Sequence, residues 1–202
     1  MIKALLIDWF GVCTKENWGN CLGRELNKAL GVDEQTVRGV FHTLIQPFAR
    51  NELSPDQFLE KFIGSLDKEA NPKDFEYLFG AIPELNTELL DYIKALRSKF
   101  TIYLFSNNFG AVFPNYQKQI NFNEYFDKLL LSHKLGFSKT QDQIWDAVFS
   151  KIYFKPTEIL FIDNKENYLQ RAKQHHVHTL LYRNVEQVRR YINTEIGKSV
   201  NK

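Results

Sequence analysis

Asp8, the pair Ser106–Asn107 and the pair Asp163–Asn164 each stand directly after an apolar run, and Lys139 opens a helical pattern shortly after another. A carboxylate, a hydroxyl, an ammonium and a second carboxylate are the parts of a metal-assisted displacement at an anionic centre. They supply a nucleophile, a hydrogen-bond donor, a charge neutraliser and a cation ligand. A single polar residue after a strand is ordinarily a turn or a helix cap. Four in this order point to one site.

The elements that must position them follow from hydrophobic periodicity. Ala4 to Ile7 is a continuous apolar run ending in a polar turn, the pattern of a strand buried on both faces of a parallel sheet. Ile102 to Phe105, Ile159 to Ile162 and Val177 to Leu181 repeat it, with a weaker run at Lys128 to Leu131. Between them the sequence predicts helices over Glu88 to Lys99, with Leu89, Ile93 and Leu96 on one face, and over Thr140 to Tyr153, with Ile144, Trp145, Val148, Phe149 and Ile152 on one face. Trp18 to Phe79 contains no strand pattern but several amphipathic helical stretches. One opens at Ser54, where Ser54 as N-cap, Pro55 as first helical residue and Gln57 complete a capping box. The plan is a strand, a helical insertion, then further strand and helix units. In such open parallel sheets ligands bind beyond the carboxyl ends of the strands, where the polar set falls.

Asp8-Trp9-Phe10-Gly11-Val12 resembles the opening motif of the haloacid dehalogenase-like hydrolase superfamily. Leu104-Phe105-Ser106-Asn107-Asn108 is similar to its second motif, whose Ser or Thr binds the transferred group. Gly136-Phe137-Ser138-Lys139 resembles the third, which supplies a lysine, and Phe161 to Asn167 resembles the acidic fourth. The resemblance covers nearly the whole chain and implies an α/β core, a Rossmann-like parallel sheet flanked by helices, over residues 1–14 and 84–202. Residues 15–83 would form a small all-helical cap domain.

It also implies a chemistry. Asp8 would attack phosphorus to form an aspartyl phosphate that water hydrolyses. Ser106 and the Asn107 backbone would hold phosphoryl oxygens, and Lys139 would neutralise the charge shared by nucleophile and phosphate. Asp8, the backbone carbonyl of Phe10, and Asp163 or Asn164 would hold Mg2+, an ion that takes oxygen ligands and tolerates a site completed by substrate and water. The substrate expected is a small phosphorylated molecule.

Two positions depart from the family pattern. Where phosphatases of this family carry a second Asp that protonates the leaving oxygen and later activates water, this chain has Phe10. Positioned acid–base catalysis is typically worth ~10²–10⁴-fold, so esters with poor leaving groups should suffer most and aryl or acyl phosphates less. Asn164 replaces the second acid of an Asp-Asp pair and would bind magnesium more weakly. These changes leave two other readings open: a catalytically degenerate binding module, and a metal-independent 2-haloacid dehalogenase, whose relatives carry an aromatic residue at the position of Phe10.

Composition bounds the rest. Of the 202 residues, 44% are hydrophobic and 25% charged, which suits a globular chain. A net charge of +2 with no clustered basic face argues against nucleic acid as a partner. No apolar stretch approaches the ~18 residues of a membrane span. Cys13 and Cys21 form neither a CxxC pair nor a framework, which fits a reducing cytoplasm. His175, His176 and His178 lack a carboxylate or thiol to complete a metal site and read as packing or surface residues. The aromatics of the insertion read as the core of a small helical domain, with Arg50 as a candidate to meet an anionic substrate group.

Overall fold

The computed structural model describes residues 1–49 and 52–196. In chain order the main elements are β1 (Ala4–Ile7), α1 (Trp18–Leu30), α2 (Glu34–Ala49), α3 (Pro55–Gly64), a 3-10 segment (Pro72–Gly80), α4 (Thr87–Leu96), β2 (Thr101–Ser106), α5 (Phe113–Gln119), β3 (Lys128–Leu131), α6 (Ser132–Leu135), α7 (Gln143–Phe149), β4 (Ile159–Asp163), α8 (Glu166–Gln174), β5 (His178–Leu181) and α9 (Val185–Tyr191). They fall into two compact units. Among the described residues, one comprises Met1–Thr14, Asn86–Asn107 and the chain from Asn121 to residue 196, and the other comprises Lys15–Leu85 with Asn108–Ile120.

The first unit is built on a five-stranded parallel sheet in the order β3-β2-β1-β4-β5. The central strands are the most apolar because both of their faces are covered: every residue of β1 and β4 is buried. On one face Leu6, Phe105 and Phe161 pack with Ile144, Trp145 and Val148 of α7 and with Leu169 and Ala172 of α8. The two helices predicted to flank the sheet are present but shorter than their apolar periodicity suggests. Ahead of α7, the Gln141 side chain accepts from the Ser138 N–H and the Gln141 N–H bonds back to the Ser138 carbonyl, so a turn replaces the first helical residues. Past α4, the N–H groups of Lys99 and Phe100 both converge on the Leu96 carbonyl and close the helix there.

Register fixes what meets at the sheet's carboxyl edge. Ile7 of β1 lies opposite Leu104 of β2 and opposite Ile162 of β4. The next residue on each side therefore brings Asp8 level with Asp163, and Ser106 falls just beyond. After β3 the chain crosses back over β1 to form β4, so β1 borders the point where strand order reverses, the place at which doubly wound sheets bind ligands.

The second unit contains α1, α2, α3, the 3-10 segment and α5. The capping box of α3 is present: Ser54 Oγ accepts from the Gln57 N–H at 3.2 Å, and Gln57 Oε1 accepts from the Ser54 N–H at 3.0 Å. Trp18 is the hub of an aromatic core, with ring centroids of Phe41 at 5.7 Å, Phe58 at 6.1 Å, Phe79 at 6.3 Å and Phe109 at 5.4 Å. Among the described residues no helix is long and apolar enough to cross a membrane.

Candidate active site

Asp8 directly follows the central strand and opens a tight turn over Trp9–Cys13. Gly11 takes φ +76° there, a conformation other L-residues rarely adopt, and donates its N–H to Thr14 Oγ1 at 3.0 Å. A Cβ at this position would lie 2.2 Å from Asn164 Nδ2, so the glycine also makes room for the fourth motif. Trp9 is fully buried against Phe122, at 5.0 Å between ring centroids, and anchors the turn beside Asp8.

Lys139 ties the site together. Its Nζ donates to Asp8 Oδ1 at 2.6 Å and to Asp163 Oδ2 at 2.7 Å, with the lysine side chain only 2% exposed. Three rings surround the ammonium, those of Phe105 at 5.0 Å, Phe161 at 5.1 Å and Tyr168 at 5.6 Å from Nζ. The backbone is fixed as well, because the Lys139 N–H donates to Asn107 Oδ1 at 2.9 Å while Asn107 Nδ2 donates to the Tyr168 hydroxyl at 3.4 Å. A buried ammonium between two buried carboxylates is stable only as a hydrogen-bonded set, and with every member ionised this one has one negative charge in excess.

That surplus charge falls on Asp8. Burial, reinforced by the Asp163 charge, pushes the Asp8 carboxyl up to about 7, against the lowering influence of Lys139. Burial pulls the Lys139 ammonium down, but Asp163 and Asp8 outweigh it and hold its pKa above the ordinary lysine value. The pocket thus keeps lysine charged and leaves Asp8 short of one further positive charge.

The fourth-motif residues divide their work. Asp163 commits both oxygens within the fold, Oδ2 to Lys139 and Oδ1 to the Lys165 N–H at 2.8 Å. Asn164 instead reaches the first motif: its Nδ2 donates to the Phe10 carbonyl at 3.2 Å, and its Oδ1 is buried with no hydrogen-bond partner. Among the described residues no group of three His, Cys, Asp or Glu side chains is clustered to hold a metal. A cation beside Asp8 would therefore rely on a carboxylate, the Phe10 carbonyl and the amide oxygen of Asn164. This all-oxygen set fits magnesium, with the orphaned Oδ1 as the atom most in need of a partner. A cation bound here would draw Asn164 Oδ1, in place of Nδ2, to the side of the Phe10 carbonyl.

Ser106 is fully buried at the end of β2, its hydroxyl donating to the Asn107 carbonyl at 3.2 Å. Asp8, Phe10, Ser106, Asn107, Lys139, Asp163 and Asn164 thus all lie in the first unit at one edge of its sheet, while Arg50 lies outside the described residues. Sequence reasoning missed Tyr168 and the two strand phenylalanines as parts of the lysine's surroundings. The available signal was an aromatic residue in the first turn of the helix after the fourth motif, and a Phe within each strand flanking β1. Cys13 and Cys21 are both buried free thiols, and burial raises the pKa of each.

No family model matches the chain. It is similar to a D-ribitol-5-phosphate phosphatase from Bacteroides thetaiotaomicron, 26% identical over 183 residues that cover 86% of this chain and 88% of that protein. Among solved structures it resembles a HAD-family enzyme from Bacteroides thetaiotaomicron in complex with magnesium and inorganic phosphate. That likeness has a TM-score of 0.74 at 24% identity, covering 91% of this chain and 95% of the other. A HAD-like family hydrolase from Porphyromonas gingivalis aligns with a TM-score of 0.73 at 23% identity, over 100% of this chain and 99% of the other. The chain has the haloacid dehalogenase-like fold.

Proposed function

We propose that this chain is a magnesium-dependent phosphatase that acts on a small phosphorylated molecule through an aspartyl phosphate on Asp8. The observation that carries the reading is the Lys139 ammonium shared between Asp8 and Asp163, at 2.6 and 2.7 Å, at the switch point of a parallel sheet. The phosphatase named among its relatives and the magnesium and phosphate bound by its structural neighbour support the same chemistry.

In this reading Asp8 is the nucleophile and Lys139 keeps it ionised and close to an incoming phosphoryl group. Asp163 holds Lys139 in place, so the ammonium stays paired when the Asp8 carboxylate is consumed. Ser106 and the Asn107 backbone bind phosphoryl oxygens, while the Asn107 side chain positions the Lys139 backbone. Asp8, the Phe10 carbonyl and Asn164 hold magnesium, with Asp163 adding negative charge to the fourth motif. When bound, the ion supplies the positive charge that the Asp8–Lys139–Asp163 set lacks and draws phosphate and nucleophile together. A core of residues 1–14 and 84–202 with a helical cap at 15–83 belongs to the same proposal, except that residues 108–120, expected in the core, group with the helical unit.

The test is to trap the intermediate. Acid quenching during turnover of a phosphorus-labelled substrate should leave label on the wild-type protein, labile to hydroxylamine as an acyl phosphate is, and none on Asp8→Asn. Label that persists in Asp8→Asn would remove Asp8 from this role. One observation favours a second reading, a binding module without turnover: a neutral amide already occupies the Phe10 carbonyl, at 3.2 Å. Phosphate binding by wild-type protein with no covalent label under any metal would select it.

A further inference from the structure

Any displacement at Asp8 must dispose of the charge that develops on the departing oxygen, and that oxygen lies in line with the attacking carboxylate and opposite to it. Among the described residues, the ionisable groups bonded into the Asp8 site are committed to the attacking side or to one another. Lys139 grips the attacking carboxylate itself, at 2.6 Å, and shares its remaining reach with Asp163. Asp163 accepts hydrogen bonds on both oxygens and is fully buried. Tyr168 stands with its ring over the Lys139 ammonium and its hydroxyl on the Asn107 amide. Cys13 is fully buried at the far side of the Gly11 turn. Two residues beyond the nucleophile the side chain is phenyl, which has no proton to give.

We infer that the substrates of this site are phosphoryl compounds whose leaving group departs as a stable anion, such as acyl phosphates, phosphoanhydrides and aryl or enol phosphates, rather than phosphate esters of simple alcohols. The inference rests on the phosphatase reading and names its substrate class. In the first step an Asp8 oxygen bonds to phosphorus and the bond from phosphorus to the leaving oxygen breaks. The electron pair goes with that oxygen as a carboxylate, phosphate or phenolate, so no acid is required. In the second step water bonds to phosphorus and the aspartyl oxygen leaves. Asp8 is again a carboxylate, itself a leaving group that needs no proton, and the water's proton passes to product phosphate or solvent.

The test is kcat/KM, with magnesium, for substituted phenyl phosphates of graded leaving-group pKa, with acetyl phosphate at one extreme and glycerol phosphate at the other, and with Asp8→Asn as blank. The expected result is a several-fold fall for each unit of leaving-group pKa, leaving glycerol phosphate slower than para-nitrophenyl phosphate by on the order of 10²–10⁴ or more. Turnover that requires Asp8 but is indifferent to the leaving group would overturn the inference and leave the phosphatase reading standing. If that flat dependence steepened in Tyr168→Phe, the proton donor would be Tyr168. Absence of turnover across the whole series, acetyl phosphate included, would overturn the phosphatase reading and the inference with it.

Discussion

At the scale of single residues, charge governs this site. Asp8 is held up to about 7 by burial and by Asp163, so the folded protein takes up a proton there between the unfolded value near 3.8 and about 7. A carboxyl with a raised folded pKa costs stability once it ionises. Its penalty is absent below about pH 4, grows as pH rises, and is complete above about pH 7. Asn cannot ionise, so urea unfolding of metal-free protein should show wild type falling behind Asp8→Asn by a few kcal/mol across that window. A difference independent of pH would mean that Asp8 is not electrostatically burdened. Phe10 is the other decisive residue. Phe10→Asp introduces a group able to protonate a leaving oxygen, and turnover of an alkyl phosphate should rise by about 10²–10⁴-fold. An unchanged rate with fold and magnesium binding intact would argue against a phosphatase-derived site.

At the scale of elements, the turn after β1 and the start of α8 must approach closely for the site to exist. Gly11→Ala adds a Cβ at 2.2 Å from Asn164 Nδ2 on a backbone at φ +76°. It should cost about 1–3 kcal/mol in urea unfolding and weaken magnesium binding as well. Unaltered stability would mean that the turn relaxes freely. Ser54→Ala is the contrasting case: it removes the cap of α3, and should cost about 1 kcal/mol while leaving phosphatase kinetics unchanged. That capping box was legible in the sequence because it depends on residues three apart, and so were β1, β2 and β4, whose apolar runs are simply long enough to be buried on both faces. The helix lengths were less legible, since apolar periodicity continues through turns such as Ser138–Gln141 that a side chain closes.

At the scale of the whole molecule, the order of polar strand ends in the sequence anticipated that Asp8, Ser106, Lys139 and Asp163 gather at one sheet edge, because parallel strands must deliver their carboxyl ends to one edge. What the order could not convey is how neighbours divide their tasks. Asp163 and Asn164 are adjacent in sequence, yet one bonds Lys139 and the other the Phe10 carbonyl, a split set by strand register and by the Gly11 turn. Tyr168 was hidden for the same reason: its contact with Asn107 spans 61 residues and carries no local signal. The central claim, that this fold holds a working phosphatase centred on Asp8, is tested most directly by para-nitrophenyl phosphate hydrolysis with and without magnesium, alongside Asp8→Asn. That leaving group needs little acid assistance, so Phe10 cannot mask activity. Turnover that requires both magnesium and Asp8 is the predicted result. No turnover at any magnesium concentration, or equal turnover in Asp8→Asn, would contradict the account.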